Sequence, residues 1–375
     1  MWDVLVAGAG PAGSVAAHIL ACKGRQVLLV DDVPRPAIKV GETLPGAALR
    51  LLRTLNLPVP DDRGPHIQIG GNLSSWGSEE LIATDFFRDP DGPGWRLDRL
   101  QFDAALRESA ICSGATFKKG RVLQTEREGE TWKVKFDDGE ITTARWLIDA
   151  TGRSASLARK LGARRLRDTP LTALYGIGFP QPECRLNRTI VEAVPAGWWY
   201  GGMLPSGSLI IGFHLLPQDA KQLSASPQEW TKAMRNTRYI SAAFHNVTFK
   251  SPLHAIDASS SYLNHFSGEG WLACGDAAMS FDPISSQGIM SALHTGMTAA
   301  AAVHAALAGD AIALNSYTNR LEEIRRTYSL RCRTIYQSET RWLNNSFWLQ
   351  FQQAGQEEQT HGHKRERGEI AIVRQ

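Results

Sequence analysis

The alternation of apolar and polar residues at the start of the chain predicts a strand, a helix and a second strand in succession. Residues 2–8, WDVLVAG, form a short apolar run rich in β-formers. Residues 12–24, AGSVAAHILACKG, have helical spacing and end in a glycine, and a second apolar run, RQVLLVDD, follows at residues 25–32. Strand, tight turn, helix and strand in this order make the minimal dinucleotide-binding unit.

The glycines of this segment have the spacing that a dinucleotide site requires. Gly8, Gly10 and Gly13 occupy the GxGxxG positions. Gly8 permits the tight turn, Gly10 lets the backbone approach a pyrophosphate, and Gly13 lets the helix and the strand pack closely. Asp31 ends the second strand, where its carboxylate can accept hydrogen bonds from ribose hydroxyls. The segment predicts a dinucleotide site without deciding between FAD and NAD.

The patterns change along the rest of the chain. Residues 165–267 alternate short β runs with Pro/Gly turns, which predicts an antiparallel sheet. Residues 314–354 have apolar positions at helical spacing with an interruption near 344–346, which predicts two helices. We expect a buried helical face for four aromatic residues of this region: Trp342, Phe347, Trp348 and Phe351.

Composition and charge exclude several classes of protein. The 375 residues are 43% hydrophobic and 21% charged, as is ordinary for a globular protein. A net charge of +3 is too small and too dispersed to indicate a nucleic-acid partner. The one dense charge run, residues 361–369, is expected to be a solvated tail.

Metal sites, membrane spans and export signals are not expected either. The five cysteines are widely spaced without a CxxC pair, which disfavours zinc, argues against a disulfide framework and suggests a reducing compartment. No secretory signal is visible, and the small-apolar stretch 291–309 contains two histidines, so it is predicted to be a packed helix. We therefore expect a cytoplasmic protein without a metal.

Three later segments carry a family resemblance. They begin at Trp95 (WRLDRLQFDAALRESA), Trp146 (WLIDATGRSASLARKLG) and Trp271 (WLACGDAAMSFDPISSQGIMSALHTG). The order GxGxxG, RxxFD, DATGRS and GDAA…DPxxxxG resembles the FAD-dependent aromatic hydroxylases (group A flavoprotein monooxygenases). That superfamily includes the flavin-dependent halogenases and geranylgeranyl-reductase-like enzymes. The resemblance covers about three quarters of the chain, and it implies FAD rather than NAD.

The fold class implied is α/β. A Rossmann-type FAD-binding domain, like that of glutathione reductase, would carry an inserted antiparallel β-sheet substrate domain and C-terminal helices. We predict a discontinuous FAD-binding domain over 1–70, 93–165 and 268–330. The substrate domain would combine 71–92 with 166–267, and the C-terminal helices and charged tail would take 331–375.

The resemblance also assigns cofactor-binding residues. It implies that Arg99 contacts the FAD pyrophosphate region and that Gly152 and Arg153 form the turn near that pyrophosphate. It implies that the Asp276 carboxylate accepts hydrogen bonds from the ribityl chain, since a carboxylate suits polyol hydroxyls.

A second group of residues is expected at the isoalloxazine ring. Pro283 and Gly288 would flank it, and a helix starting at Gly288 would direct N–H groups and its positive dipole end toward the flavin. Gly41, Glu42 and Pro45 match a Gly-Glu segment that borders the ring in the halogenases and their relatives. Glu42 is then the ionisable candidate near the ring. An ordinary helix start at this segment is the alternative.

The aromatic stretch PAGWWYGGMLPSG, residues 195–207, is the candidate wall of a substrate pocket. Trp198 and Tyr200 share one face of the predicted strand, and Trp199 lies on the other. We therefore expect that not all three are core residues. The stretch fits the WxWxIP pattern of tryptophan halogenases only partly. The halogenase lysine also has no counterpart, because residues 66–90 contain no lysine and Lys39 is poorly placed.

A smaller subgroup, the LodB-like flavoproteins, matches more closely. KVGETLP (39–45), WGS (76–78), GWWYGGMLP (197–205) and SSQGI (285–289) are similar to its segments. The resemblance implies a monooxygenase that hydroxylates a tryptophan in a partner oxidase during maturation of a tryptophylquinone cofactor. An aromatic-rich pocket could stack that indole, although aromatic clusters are also common in cores.

The source of electrons and the rival functions stay open. A second GxGxxG is absent, so O₂ would be used with transiently docked NAD(P)H or another reductant. Alternatives are a small-molecule hydroxylase, halogenase or reductase, and a non-catalytic flavin-binding chaperone of a partner oxidase. Several histidines have no recognisable partner and are not expected to be catalytic: His214, His245, His254, His265 and His294.

Overall fold

The computed structural model describes residues 1–32, 39–86, 89–179, 186–245, 247–249 and 252–351. Its elements up to the first long crossover are β1 (Trp2–Ala7), α1 (Pro11–Cys22), β2 (Val27–Asp31), β3 (Thr43–Leu44), α2 (Ala47–Thr54), β4 (Ile67–Ile69), β5 (Gly71–Ser75), β6 (Ile82–Asp85), β7 (Gly94–Arg96), α3 (Arg99–Cys112), β8 (Thr116–Lys119), β9 (Val122–Glu128), β10 (Thr131–Phe136), β11 (Ile141–Asp149) and α4 (Ser156–Lys160).

The remaining elements include most of the predicted insertion and the C-terminal helices. They are β12 (Arg165–Arg167), β13 (Thr172–Phe179), β14 (Arg188–Val194), β15 (Gly197–Met203), β16 (Leu209–Leu215), α5 (Pro217–Ser224), α6 (Pro227–Arg235), α7 (Tyr239–Ala243), β17 (Thr248–Phe249), β18 (His254–Asp257), β19 (Ser261–Leu263), β20 (Ser267–Gly268), β21 (Trp271–Ala273), β22 (Met279–Ser280), α8 (Gly288–Leu307) and α9 (Ala313–Gln337).

A mixed sheet with a parallel centre forms the first layer; β20, β10 and β9 join it by antiparallel pairs. Its strand order is β20-β21-β11-β1-β2-β8, with β1 parallel to both β11 and β2. Residues 4–7 of β1 are buried, as the continuous apolar run predicts for a strand covered on both faces. Helices α1 and α8 approach each other closely, because Gly296 lacks a Cβ that would overlap the Ala12 carbonyl oxygen. The mixed α/β fold class predicted from the sequence is confirmed.

The inserted sheet has the order β17-β13-β16-β15-β14-β5-β6, with β18 also on β13. Its strands from residues 165–267 pair antiparallel with one another, as predicted, and β14 also pairs parallel with β5 from the earlier segment. Helices α5 to α7 cover one face, although the sequence pattern predicted only strands and turns there. The reason is that Pro217 and Pro227 occupy first helical positions, where a missing N–H costs nothing, and so resembled turn prolines.

The C-terminal region packs on both the dinucleotide-binding unit and the inserted sheet. Helix α9 runs without a break past residue 330, so the predicted domain boundary falls inside a helix. Residues 346–351 are helical after a turn at 341–344, as the interruption in the apolar pattern predicted. Phe347, Trp348 and Phe351 are buried, whereas Trp342 is half-buried. The charge run at residues 361–369 lies outside the described residues.

Two small three-stranded sheets, β3-β7-β4 and β12-β19-β22, connect the layers. Over the described part of the chain, no helix has the length and apolar character needed to cross a membrane.

Candidate functional site

A cavity of about 1460 Å³ lies between the dinucleotide unit and the inserted sheet. Pockets for a single small ligand are commonly about 300–1,000 Å³, so this cavity can hold a large cofactor together with a second molecule. One end is lined by the glycine turn and the start of α1, and the other by strands β13, β15, β16 and β18.

The glycine turn is built by close backbone contacts. Gly8 has φ +103°, and a Cβ there would overlap the carbonyl oxygen of Ala150 at the end of β11. A Cβ on Gly13 would overlap the carbonyl oxygen of Gly8. Gly10, in contrast, has no atom within 4 Å of the position of its Cβ, and it lines the cavity. The turn therefore presents bare backbone to the cavity, which fits a pyrophosphate.

Charge at this end also suits a dinucleotide. Helix α1 begins at Pro11, so its free N–H groups and partial positive charge are directed at the cavity. The Asp31 carboxylate accepts a hydrogen bond from the backbone N–H of Ala9 and lines the same wall. Asp31 therefore has a structural bond to the turn in addition to its predicted contact with ribose hydroxyls.

Asp149, which the sequence patterns did not single out, organises the second turn. Its Oδ1 accepts from the backbone N–H and the hydroxyl of Thr151 at 2.9 and 2.7 Å, and its Oδ2 accepts from the N–H of Ala158 at 2.6 Å. Burial raises the pKa of Asp149. Gly152 follows with φ +66° and lines the cavity. The acidic residue opening DATGRS was the available signal for this role.

Arg99 has partners of its own within the protein. Its Nη1 donates to the carbonyl oxygens of Gly41 at 2.6 Å and Val40 at 3.2 Å, and its Nε forms an ion pair with Asp103 at 3.2 Å. Lys39 pairs with the same Asp103 carboxylate at 2.5 Å. Arg99 therefore anchors the Gly-Glu segment to α3, while its side chain also lines the cavity.

Asp276 lies on the opposite wall between two arginines. The Arg153 Nε is 3.8 Å from the Asp276 carboxylate, and Arg153 also donates to the carbonyl oxygens of Ser259 and Phe281 at 2.7 and 3.0 Å. Arg165 donates to the Asp276 carbonyl oxygen at 2.6 Å. The Asp276 side chain is 40% exposed in the cavity. A carboxylate held in this way can accept from a polyol.

The segment before α8 is fixed by a second buried acid. Asp282 accepts from the Ile284 N–H at 2.9 Å and from the Tyr336 hydroxyl at 2.8 Å, and burial raises its pKa to about 6. This arrangement places Pro283 and the first residue of α8, Gly288, in the cavity wall. The N-terminus of a 20-residue helix is therefore directed at the cavity, as the resemblance implied.

Glu42 forms a buried cluster with residues from three other segments. The Tyr200 hydroxyl donates to Glu42 Oε1, and Arg96 Nη1 lies 3.9 Å from the same oxygen. Arg96 donates to the Thr189 hydroxyl at 2.5 Å and is only 1% exposed. Gly202 makes room, because a Cβ there would overlap the guanidinium. Burial raises the pKa of the Tyr200 phenol.

This cluster joins the two units at the cavity. Glu42 and Tyr200 both line it, so a carboxylate, a phenol and a buried counter-charge meet where the predicted ring edge faces the sheet. Arg96 was not identified from the sequence. Its position three residues before Arg99, at the end of a short strand, was the only local signal.

The two tryptophans of the aromatic stretch take opposite faces, as predicted, but both are core residues. Trp198 stacks on His214 with centroids 3.6 Å apart and donates to the Tyr336 hydroxyl at 3.0 Å. Trp199 packs against Trp230 of α6 on the other face. Each is 1% exposed, because the C-terminal aromatic residues cover one face and α5–α7 the other. The cavity lining includes Tyr200 and neither tryptophan.

Three strands build the sheet end of the cavity from residues that the sequence did not single out together. Tyr175, Gly212 and Tyr200 are direct neighbours across β13, β16 and β15. Gly212 has no side chain, so a slot opens between the two tyrosines. His214 borders the slot, and burial lowers its pKa to about 3, so the imidazole is neutral at pH 7. The slot offers flat apolar surface to a planar ring.

The described residues contain no group of His, Cys, Asp and Glu side chains that could hold a metal ion. The same residues do suit FAD: a glycine turn with free backbone, two helix N-termini directed at the cavity and a carboxylate opposite the Gly-Glu segment.

Related proteins show the same architecture. LodB, an FAD-dependent oxidoreductase of Marinomonas mediterranea, is 28% identical over 92% of this chain and 96% of its own length. A pyrrole-2-carbonyl carrier-protein brominase of Pseudoalteromonas luteoviolacea is 28% identical over 82% of this chain and 79% of its own. The halogenase CmlS superposes with a TM-score of 0.82 at 21% identity, covering 92% of this chain and 66% of its own.

A further solved structure is that of QhpG, a peptidyl tryptophan dihydroxylase essential for tryptophylquinone cofactor biogenesis. It superposes with a TM-score of 0.72 at 24% identity, covering 94% of this chain and 78% of its own. At this identity the likeness shows the fold alone. A family model described as an FAD binding domain matches residues 1–328, so the chain belongs to the FAD binding domain family and is an FAD-dependent oxidoreductase.

Proposed function

We propose that this enzyme is a monooxygenase that hydroxylates a tryptophan residue of a partner oxidase during maturation of a tryptophylquinone cofactor. The observation that carries the proposal is the slot over Gly212, which lies beside the predicted flavin edge and is bordered by Tyr175, Tyr200 and His214. The fold likeness to QhpG, a peptidyl tryptophan dihydroxylase, supports this substrate class.

The slot would hold an indole by stacking and burial. Tyr175 and Tyr200 present aromatic surface on either side of a residue without a side chain, and aromatic pairs favour offset or edge contacts with centroids about 4.5–7 Å apart. Ile210 and Ile256 add apolar surface to the same end. Because His214 is neutral, binding of the ring beside it does not require desolvation of a charge.

The chain's own residues would handle the proton of the reaction. Bound, reduced FAD would supply the chemistry by which O₂ gives one oxygen atom to the ring and releases the other as water. The electrons that reduce FAD come from NAD(P)H or another reductant. The ring carbon that gains oxygen must lose its proton. In our proposal the Tyr200 hydroxyl takes this proton while its own passes to Glu42 Oε1. Arg96 holds a positive charge beside the Glu42 carboxylate.

Halogenation is the rival reaction, since several relatives are halogenases. Among the described cavity residues, the lysines are Lys39 and Lys160. Lys39 pairs with Asp103, and Lys160 donates to the carbonyl oxygens of Val122 and Leu123 at 2.7 Å. Neither belongs to the inserted sheet. The lack of a lysine on that sheet's side of the cavity favours hydroxylation.

Co-expression with an oxidase whose cofactor is built from one of its own tryptophan residues tests the proposal directly. We expect mass spectrometry of the oxidase to find one or two added oxygen atoms on a single tryptophan. An oxidase that leaves co-expression unmodified, or that gains a halogen, would overturn the proposal.

Tyr200→Phe tests the assigned proton path. It keeps the ring and removes the hydroxyl, so bound FAD should stay at the wild-type level while hydroxylation falls about 100-fold or more. Tyr239→Phe removes a hydroxyl that donates to the exposed Glu79 carbonyl oxygen and serves as the control. Wild-type hydroxylation by Tyr200→Phe would exclude the path through Glu42.

A further inference from the structure

A groove of about 370 Å³ lies along α9. Phe281 and Gln287 line both the cavity and the groove. The groove is therefore adjacent to the cavity at the segment before α8 that we assign to the flavin edge.

One face of α9 forms the far wall of this groove. Its lining residues recur every three or four positions, as a single helical face requires: Arg320, Glu323, Ile324, Thr327, Tyr328, Arg331, Cys332 and Ile335. The stripe spans 16 residues, which at 1.5 Å per residue is about 22 Å. An extended peptide of about seven residues has the same length.

The groove combines apolar floor and positive charge. Ile284, Ile324 and Ile335 line it, and Ile335 is 37% exposed. Arg331 is exposed and has no hydrogen bond or ion pair in the part of the chain that the structure describes, whereas Arg325 pairs with Glu322. The other charged residues of the groove compensate each other, because Arg320 pairs with Glu323 at 2.7 Å, so Arg331 supplies the positive charge of this surface. An occupant with acidic and apolar side chains would complement this surface.

The groove also contacts the candidate active site. Tyr328 stacks on Phe281 with centroids 4.3 Å apart, and its hydroxyl accepts from the backbone N–H of Asp282 at 2.8 Å. A molecule lying on Tyr328 would therefore touch the residue that supports the Asp282–Pro283 segment.

We propose that this groove binds an extended, acidic segment of the partner polypeptide, next to the residue that enters the cavity. The inference rests on the proposed function and adds the site that would recognise the polypeptide around the target. Two features carry it. The groove shares the lining residues Phe281 and Gln287 with the cavity. Within the described residues, Arg331 is exposed and unpaired in a groove whose helical wall is about as long as an extended peptide of seven residues.

Peptide binding to the FAD-loaded protein tests this proposal. The probes are two fluorescein-labelled decapeptides, each with one tryptophan followed by leucines and three aspartates, or by leucines and three lysines. Fluorescence anisotropy should give at least about tenfold tighter binding of the aspartate peptide. Arg331→Glu should weaken its binding about tenfold, which corresponds to about 1.4 kcal/mol. Arg326→Glu reverses an exposed arginine of the same helix that does not line the groove, and it should change binding less than twofold.

Several outcomes would overturn the groove assignment. These are equal binding of the two peptides, equal effects of Arg331→Glu and Arg326→Glu, or tenfold tighter binding after removal of residues 352–375, which would make the chain's own C-terminus the occupant. Hydroxylation of the partner oxidase's tryptophan without charge-dependent peptide binding would reject the groove and leave the proposed function. Charge-dependent binding without any oxidation of tryptophan would leave the groove and reject the hydroxylase.

Discussion

The two ends of the cavity are built in different ways. At the cofactor end, Gly8 and Gly13 allow backbone segments to approach within distances that a Cβ would prevent. At the sheet end, side chains from four separated segments meet around Glu42, Arg96, Thr189 and Tyr200. The cofactor end depends on two glycines, which have no side chains, within six consecutive residues. The sheet end depends on side chains that are separated by more than 150 residues in the sequence.

This difference has a functional consequence. A backbone cradle can hold the constant phosphate part of a cofactor in every relative, because N–H groups and helix dipoles do not depend on residue identity. The sheet end recognises through particular side chains, so it can change between a halogenase and a hydroxylase while the fold is kept.

The largest effect is expected at the cofactor end. Gly13→Val places a branched side chain against the Gly8 carbonyl oxygen, so α1 must move away from β1 and the phosphate cradle opens. We expect FAD affinity to fall about 100-fold, measured from the flavin absorbance of the purified protein. Gly64→Ala, at an exposed glycine with no atom closer than 3.5 Å to the added Cβ, is the control. Normal flavin content in Gly13→Val would show that this glycine turn does not bind the phosphates of FAD.

The effect expected at the sheet end is on folding stability rather than on FAD binding. Arg96→Met leaves the Glu42 carboxylate buried without its counter-charge, which should lower the free energy of unfolding by about 3–5 kcal/mol. Urea denaturation measures this change. Adding Glu42→Gln removes the charge that lost its partner, so the double variant should recover at least half of the loss. If the second substitution lowers stability further, Arg96 does not act through Glu42.

The smallest effect concerns pH and the segment that joins the two ends. Burial raises the pKa of Asp282 to about 6, against about 3.9 for an unfolded aspartate. The folded state therefore binds this proton more tightly, so the contribution of Asp282 to stability is fully present below pH 4 and is lost as pH rises from 4 to 6. Asp282→Asn should remove about 2–3 kcal/mol of this decrease, measured by urea denaturation at pH 4 and pH 7. If the free energies of unfolding of the two proteins change equally with pH, the pKa of Asp282 is not raised.

Local patterns predicted much of the fold. The strand–helix–strand start, the strand and helix around Trp95 and the beginning of α8 at Gly288 all lie where the apolar periodicity and the glycines placed them. These features depend on contacts between residues close in sequence or on the chain's own backbone requirements.

Other features depended on what covers an element. Trp198 and Trp199 alternate faces as predicted, yet both are buried, because helices cover one face of the sheet and distant C-terminal aromatic residues cover the other. Helices α5 and α6 were missed, since a proline at a first helical position resembles a turn proline in sequence. Single-segment patterns contain no information about such neighbours.

Local patterns in the sequence were enough to predict the dinucleotide unit and the order of the motifs, because glycine spacing and apolar periodicity are local constraints on the backbone. With the family resemblance, these features identified FAD. The packed structure was needed to show that Arg96 faces Glu42, that Gly212 opens a slot between two tyrosines and that α9 carries a groove next to the cavity. Each of these depends on side chains far apart in the chain, whose proximity arises only when the layers pack.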